Sequence, residues 1–294
     1  MDLISLATSR WGPQGVMLLC RVLPGGLIRR LSRPISQYLA RRPDLPFVQA
    51  LRANIAVVQG LPESHPDVGR SVARLLGNAI VAYADFFRVV QSAPEKACVL
   101  CELDPSMWRT IEDCLASGRG LVLVGAHMCS FDLLLLGLKE VFPSVQILSN
   151  ADPRGSSKVM NRIREEQGLH VTPISVQALR QAIERLRGGG VVAIAADLPI
   201  EGGEDLTFFG RNCQLPVGHT RLALSTGAQI LVGVSHRTGE GAYRAEVVLA
   251  PQPESSGNRN QDMIRWAQDS LSLVECLIRR WPEEWLMPIP VWSG

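Results

Sequence analysis

The chain has 294 residues, of which 46% are apolar and 20% charged, with a formal net charge of +2. This balance excludes a disordered polyelectrolyte, and at about 100–200 residues per domain it allows one large domain or two small ones, either able to bury a core without disulfide staples. The near-neutral total argues against a strongly basic nucleic-acid binder, yet it hides an asymmetry. Residues 1–58 carry eight arginines (Arg10, Arg21, Arg29, Arg30, Arg33, Arg41, Arg42, Arg52) against Asp2 and Asp44, a net of +6, so the remaining 236 residues net −4.

No stretch reaches the roughly 18 consecutive apolar residues of a spanning helix, and the start lacks the order of a secretory signal. The segment from Leu18 to Arg33 mixes Leu18, Leu19, Val22, Leu23, Leu27, Ile28 and Leu31 with Arg21, Arg29, Arg30 and Arg33. That composition suits a helix lying in a membrane interface. The same pattern serves an amphipathic helix packed on the protein's own core.

Residues 12–92 read as helical, with breaks at Pro24-Gly25-Gly26, Pro43-Asp44 and Gly60-Leu61-Pro62. From about residue 97 short apolar strands alternate with helices. Strands are predicted at Ala97–Leu103, Leu121–Gly125, Val145–Ser149, Val191–Ala196, Ile230–Ser235 and Tyr243–Leu249, and helices at 105–117, 130–141, 155–167, 176–187, 217–226 and 258–280. The alternation predicts an α/β fold with a largely parallel or mixed central sheet flanked by helices. The chain therefore divides into a helical N-terminal region, 1–95, and an α/β core, 96–294, forming one integrated domain.

The seven cysteines (20, 98, 101, 114, 129, 213, 276) are odd in number and scattered, as in a reducing compartment. Cys98-Val-Leu-Cys101 has no second pair to complete a zinc site. Of the five histidines (65, 127, 170, 219, 236) none has metal-ligand spacing, and only His127 sits in a pattern that suggests chemistry. It follows the apolar strand Leu121–Gly125 and precedes Ser130, Asp132 and the apolar run Leu133-Leu-Leu-Leu136. Ser130 suits an N-cap, placing Asp132 in the first helical turn. Five helical steps would set His127 and Asp132 about 140° apart, so they meet only if His127 lies in the loop before the cap. At the carboxyl end of a sheet strand, where ligand crevices form, Asp132 could then hold one imidazole nitrogen and leave the other as a base. The plain alternative is a solvated loop histidine beside an acidic residue that suits the helix dipole. No Gly-x-Ser-x-Gly elbow or phosphate loop competes, and Cys129 reads as packing rather than as an activated thiol.

The strand-His127-x4-Asp132-helix unit, Arg164-Glu165-Glu166-Gln167-Gly168, Gly189-Gly190-Val-Val-Ala-Ile-Ala-Ala-Asp197, Phe208-Phe209-Gly210-Arg211 with Pro216-x-Gly218 and Ala223-Leu224-x-x-Gly227-Ala228, and the closing Arg280-Trp281-Pro282-Glu283-Glu284-Trp285 occur in this order. Together they resemble the bacterial lipid A acyltransferase family of the lysophospholipid acyltransferase superfamily. Cys129-Ser130 stand where members commonly have Gly-Asn, and Asp132 where Glu is often seen. These departures, with Asp197-Leu198 and the absence of an N-terminal spanning helix, look closer to the branch that acylates phosphatidylinositol mannosides.

The resemblance implies transfer of an acyl group from a thioester donor, acyl-CoA or acyl carrier protein, to a hydroxyl of a glycolipid or lipid A-like acceptor, with no cofactor or metal. It implies His127 as general base with Asp132 as its partner, and Glu201 in the site, with Glu204 and Asp205 as rivals. The tetrahedral oxyanion of such a transfer needs a fixed positive group or backbone N–H donors; Arg164 is the charged candidate, with Asp197 holding its guanidinium, and a plain structural ion pair between the two is the alternative. Phe208 and Phe209 would line an acyl channel, or serve simply as core, and Arg211 would meet a phosphate. An acyl thioesterase using the same dyad, or a non-catalytic lipid-binding relative, are the other classes that fit. A lipid enzyme of this kind would sit on an anionic membrane surface, on the cytoplasmic face of the inner membrane. It would attach through the basic N-terminal region, Arg29, Arg30 and Arg33 foremost.

Overall fold

A computed structural model describes residues 11–92, 101–103, 105–142, 144–239 and 241–292. Four helices come first: α1 (Trp11–Val22), α2 (Gly25–Ala40), α3 (Pro46–Gln59) and α4 (Pro66–Ser92). Their breaks fall where Pro and Gly predicted them. Pro46 opens α3 where no backbone donor is needed, and Gly60 closes it at φ 65°, a left-handed conformation that glycine adopts without strain.

The core then alternates β1 (Cys101–Leu103), α5 (Pro105–Ala116), β2 (Leu121–Gly125), α6 (Phe131–Val141), β3 (Val145–Ser149), α7 (Ser156–Glu166), β4 (His170–Pro173), α8 (Val176–Arg187) and β5 (Val191–Ala195). A hairpin of β6 (Glu204–Phe208) and β7 (Arg211–Leu215) follows, then α9 (Gly218–Thr226), β8 (Gln229–Gly239), β9 (Ala242–Ala250) and α10 (Arg259–Arg280). The seven-stranded sheet has the order β1-β9-β8-β2-β5-β3-β4. Every neighbouring pair is parallel except β8 with β9, so the expected mixed, mainly parallel α/β sheet is present. Of the strand predicted at 97–103, only Cys101–Leu103 lies within the described residues, and Cys98 lies outside them.

Both sheet faces are covered, which is why its strands read as near-continuous apolar runs. Val122, Val124, Val192, Ile194, Ile230 and Val232 pack under α8, α9 and α10 on one face. Leu121, Val145, Ile147, Val191, Ala193 and Leu231 pack under α4 to α7 on the other.

Two elements escaped the sequence reading. Strand β4 has four residues at the sheet edge. The β6–β7 hairpin turns through Phe209 (φ 52°) and Gly210 (φ 74°), the two positive φ angles that a tight two-residue hairpin needs. Phe-Gly supplies them without the Asn-Gly or Asp-Gly pair that would have announced the turn.

The N-terminal helices join the core through the chain's closing segment. Asn54 on α3 donates to the carbonyls of Met287 and Ile289 at 2.9 and 2.8 Å and accepts from the Val291 N–H at 3.2 Å. Arg74 on α4 pairs with Glu283. Helix α2 packs on α4 through small residues: Ser32, Ser36 and Ala40 are buried, and a Cβ on Gly77 would stand 3.3 Å from Ser36 Oγ. Its apolar residues Leu27, Leu31, Ile35 and Tyr38 are exposed instead, as are Leu18, Leu19 and Val22 on α1. Among the described residues no helix is long and apolar enough to cross a membrane. Arg29 is not one of the free arginines expected at a membrane: it donates at 3.1 Å to the buried Asp85 carboxylate, which also accepts from Tyr243 Oη at 2.9 Å.

Gly120, just before β2, lies against the last turn of α8. A Cβ there would collide with the Leu186 carbonyl oxygen, and neither backbone can yield without moving a sheet strand. Gly120→Ala is expected to destabilise the fold by about 1–3 kcal/mol, read as a lower denaturation midpoint at unchanged denaturant dependence.

Candidate active site

Strands β2 and β5 are adjacent, parallel and in register, with Gly125 opposite Ala195. Residues two positions past each strand end are therefore neighbours, and these are His127 and Asp197. The chain leaving β2 enters α6 on one face of the sheet, whereas the chain leaving β5 enters the hairpin and α9 on the other. The two connections diverge at the carboxyl edge, the place where an open α/β sheet forms a ligand crevice.

Asp197 is wholly buried. One carboxylate oxygen, Oδ1, lies 2.7 Å from His127 Nδ1, while Oδ2 accepts from the His127 backbone N–H at 2.8 Å and from Trp285 Nε1 at 2.8 Å. Three donors replace the water that a buried carboxylate has lost. Burial alone would push the Asp197 carboxyl up, but His127 and these hydrogen bonds outweigh it and hold its pKa below the usual value. Burial likewise disfavours imidazolium at His127, yet the charge and hydrogen bond of Asp197 leave its pKa raised. With Nδ1 committed to a carboxylate it carries the proton, and Nε2, without a partner among the described residues, presents its lone pair. The side chain is 37% exposed, so Nε2 can be reached from outside.

The expected hydrogen bond between His127 and Asp132 is not the one the fold makes. Asp132, in the first turn of α6, receives Arg164 Nε at 2.7 Å, with both side chains largely buried. Arg164 Nη1 donates to Asn161 at 2.9 Å, one helical turn away on α7. The expected contact between Asp197 and Arg164 is replaced in the same exchange: each acid takes the other's anticipated partner. The reason is topological, since β5 inserts between β2 and β3 and brings Asp197 beside His127, while α6 turns Asp132 toward α7.

The two pairs remain one cluster. The Phe131 ring centroid lies 6.1 Å from that of His127, and the Arg164 guanidinium carbon is 6.0 Å from the Phe131 centroid. Both charges reach the imidazole: Arg164 disfavours its protonated form, and Asp132 offsets part of that.

The loop bearing His127 is held by the chain's closing segment. Leu286 N–H donates to His127 O at 2.8 Å and Cys129 N–H to Glu284 O at 2.7 Å, flanking a bridge between Met128 and Trp285. Ser130 occupies the N-cap position of α6, but its hydroxyl bonds Ser235 Oγ at 2.8 Å rather than capping the helix. Cys129 is buried, and burial pushes its thiol well above the usual range; it is a packing residue.

Phe208, Phe209 and Trp285 are buried and pack with the half-buried Trp292, ring centroids lying between 4.6 and 6.3 Å apart. They back the indole that bonds Asp197. Glu201 is exposed in the turn before β6, Glu204 is half-buried on β6 and Asp205 is exposed beside it. Arg211 is exposed on β7 and its side chain makes no hydrogen bond or ion pair among the described residues. Sequence reasoning missed Trp285 as part of the site. Its place in the closing Trp-Pro-Glu-Glu-Trp run was noted, but nothing local shows that its N–H reaches Asp197.

A histidine fixed by a buried carboxylate, with its second nitrogen open at the carboxyl edge of an α/β sheet, can accept a proton from a bound hydroxyl. Residues 4–293 match the description bacterial lipid A biosynthesis acyltransferase. The chain belongs to the bacterial lipid A biosynthesis acyltransferase family, and it is an acyltransferase. It is 25% identical over 238 residues to the phosphatidylinositol mannoside acyltransferase of Mycobacterium tuberculosis, covering 78% of this chain and 72% of that relative. To the phosphatidylinositol mannoside acyltransferase of Mycolicibacterium smegmatis it is 24% identical over 281 residues, covering 93% and 88%.

The shifts have a definite sign. The lowered Asp197 pKa contributes stability that is full above the ordinary carboxylate value and is lost as acid protonates the native carboxyl. The raised His127 pKa contributes stability that is full below the ordinary imidazole value and is lost as pH rises through the native one. The pair therefore stabilises the fold most between the reference values 3.8 and 6.5. Asp197→Asn is expected to move the His127 titration, followed by NMR of the ring protons, to lower pH. An unmoved titration would show that another group holds the ring.

Proposed function

We propose that this acyltransferase moves a fatty acyl group from a thioester donor, acyl-CoA or acyl carrier protein, to a hydroxyl of a glycolipid acceptor, with His127 as general base. The observation that carries the reading is the Asp197–His127 hydrogen bond at 2.7 Å with Nε2 left open. His127 Nε2 takes the hydroxyl proton as the oxygen attacks the thioester carbonyl carbon. The tetrahedral intermediate collapses by breaking the C–S bond, and the departing thiolate takes the proton back from the imidazolium. No acyl-enzyme forms, because the attacking oxygen belongs to the acceptor.

Asp197 orients the ring and stabilises the imidazolium; Asp132 offsets part of the opposing charge of Arg164. Arg164 is held by Asp132 and Asn161 through Nε and Nη1, which leaves Nη2 for the developing oxyanion. The acceptor approaches past the hairpin, where Glu201 takes a sugar hydroxyl and Arg211 a phosphate. Phe209 lies beside the acyl chain, with Phe208 supporting the wall behind it. The relatives named as phosphatidylinositol mannoside acyltransferases favour a phosphoglycolipid acceptor. The enzyme sits peripherally on the cytoplasmic face of an anionic membrane, with the exposed leucines of α1 and α2 among the acyl chains and the arginines at the headgroups.

Two measurements test this. His127→Ala should lose at least about a hundredfold in transfer while keeping its fold, assayed with acyl-CoA and a glycolipid acceptor with mass detection of the acylated product. Retained turnover would remove the mechanism. Arg21→Gln with Arg30→Gln should weaken binding to anionic vesicles by roughly thirtyfold, at about 1 kcal/mol per arginine. Both residues are exposed, so the pair avoids disturbing the Arg29–Asp85 contact.

A further inference from the structure

Between α2 and α4 runs a groove of about 930 Å³ lined by six arginines, Arg33, Arg41, Arg52, Arg70, Arg74 and Arg237, and by no acidic residue. Arg70 pairs with Asp67 and Arg74 with Glu283, and Arg52 donates to the Glu63 carbonyl. The side chains of Arg33, Arg41 and Arg237 make no hydrogen bond or ion pair among the described residues. Arg237 Nε is buried with no hydrogen-bond partner, although the buried Glu284 carboxyl feels the Arg237 charge. A buried guanidinium N–H left unmade is costly, and together with the unpaired Arg33 and Arg41 it leaves this groove with donors to offer an anion.

The groove belongs to the same side of the molecule as the active site. Strand β8 pairs with β2 only as far as Gly233 and then runs on past the carboxyl edge. Ser235, which bonds Ser130 in the His127 loop, and Arg237 alternate onto one face of β8, about 7 Å apart along the strand. Helix α2 contributes two adjoining faces. One places Ser32, Arg33 and Ser36 in the groove, with Arg41 just past the helix end, and the next exposes Leu27, Leu31, Ile35 and Tyr38. Forked donors beside an apolar stripe match the boundary between phosphate and acyl chain in a lipid layer.

We infer that this groove is a binding site for the phosphodiester headgroup of an anionic lipid, gripped by Arg33, Arg41 and Arg237 while the Leu27–Tyr38 stripe seats in the acyl layer. The inference rests on the peripheral membrane placement proposed above and sharpens it, replacing a diffuse basic surface with a defined pocket.

The test is calorimetry on the full chain with deacylated phosphatidylglycerol, a water-soluble glycerophosphodiester. Saturable binding is expected. It should weaken at least about tenfold in Arg33→Gln/Arg41→Gln and in Arg237→Gln, and stay unchanged in Arg180→Gln/Arg187→Gln, exposed on α8 and outside the groove. Arg33 and Arg41 are exposed, so the first variant keeps the experiment valid if Arg237→Gln fails to fold. No binding, or binding indifferent to the groove arginines, overturns the proposal. Tighter binding of adenosine 3′,5′-bisphosphate through the same arginines also overturns it, assigning the groove to a nucleotide. Headgroup binding should persist in His127→Ala. Lost turnover with intact binding supports the groove as a site separate from the catalytic one, and absent headgroup binding in a chain that still turns over overturns the groove while leaving the proposed function standing.

Discussion

A carboxylate with no access to water organises this molecule. Asp197 accepts from the His127 backbone, the His127 ring and the Trp285 indole, and each donor comes from a different constraint. The backbone donor requires β2 and β5 to be adjacent and in register. The ring donor requires the loop after β2 to stay extended for two residues before α6 begins. The indole requires the closing segment to return across the carboxyl edge. Removing any one of them would leave a buried charge short of a partner, so the site and the fold are stabilised by the same bonds.

The closing segment ties the two halves of the chain together. It bridges the His127 loop through residues 284–286, meets α4 through Glu283 and meets α3 through Asn54. The carboxyl of Glu284, in this segment, is buried and pushed up to about 7, against the pull of Arg237. The N-terminal helices are thus mechanically coupled to the loop carrying His127, and a surface engaged by α2 and α4 lies one short connection from the proposed base.

Helix α2 reverses the ordinary arrangement. Its small polar residues Ser32 and Ser36 are buried and their hydroxyls satisfied by the Arg29 and Arg33 carbonyls at 2.8 and 3.0 Å, which lets α4 approach closely. Its larger apolar residues face outward. Amphipathicity alone says only that two faces differ; it does not say which one the protein keeps. That choice was made by the close approach at Gly77 and by the Arg29–Asp85–Tyr243 contacts, all of them between residues distant in sequence.

Periodicity and punctuation in the sequence determined most of the elements here. The breaks at Pro24, Pro43 and Gly60, the strands of the sheet centre and the helices between them follow from local preference, and so does the position of His127 at a strand's end. The ordered blocks also determined the family. What local pattern could not determine was pairing. A carboxylate five residues away, Asp132, is the natural partner to assign to His127 from sequence, but the partner is 70 residues away, because strand order rather than chain order decides which loops meet. Trp285 and the arginines of the α2–α4 groove were unreadable for the same reason. Hydrophobic period is a property of a segment, whereas a hydrogen bond between loops depends on where the sheet places their ends.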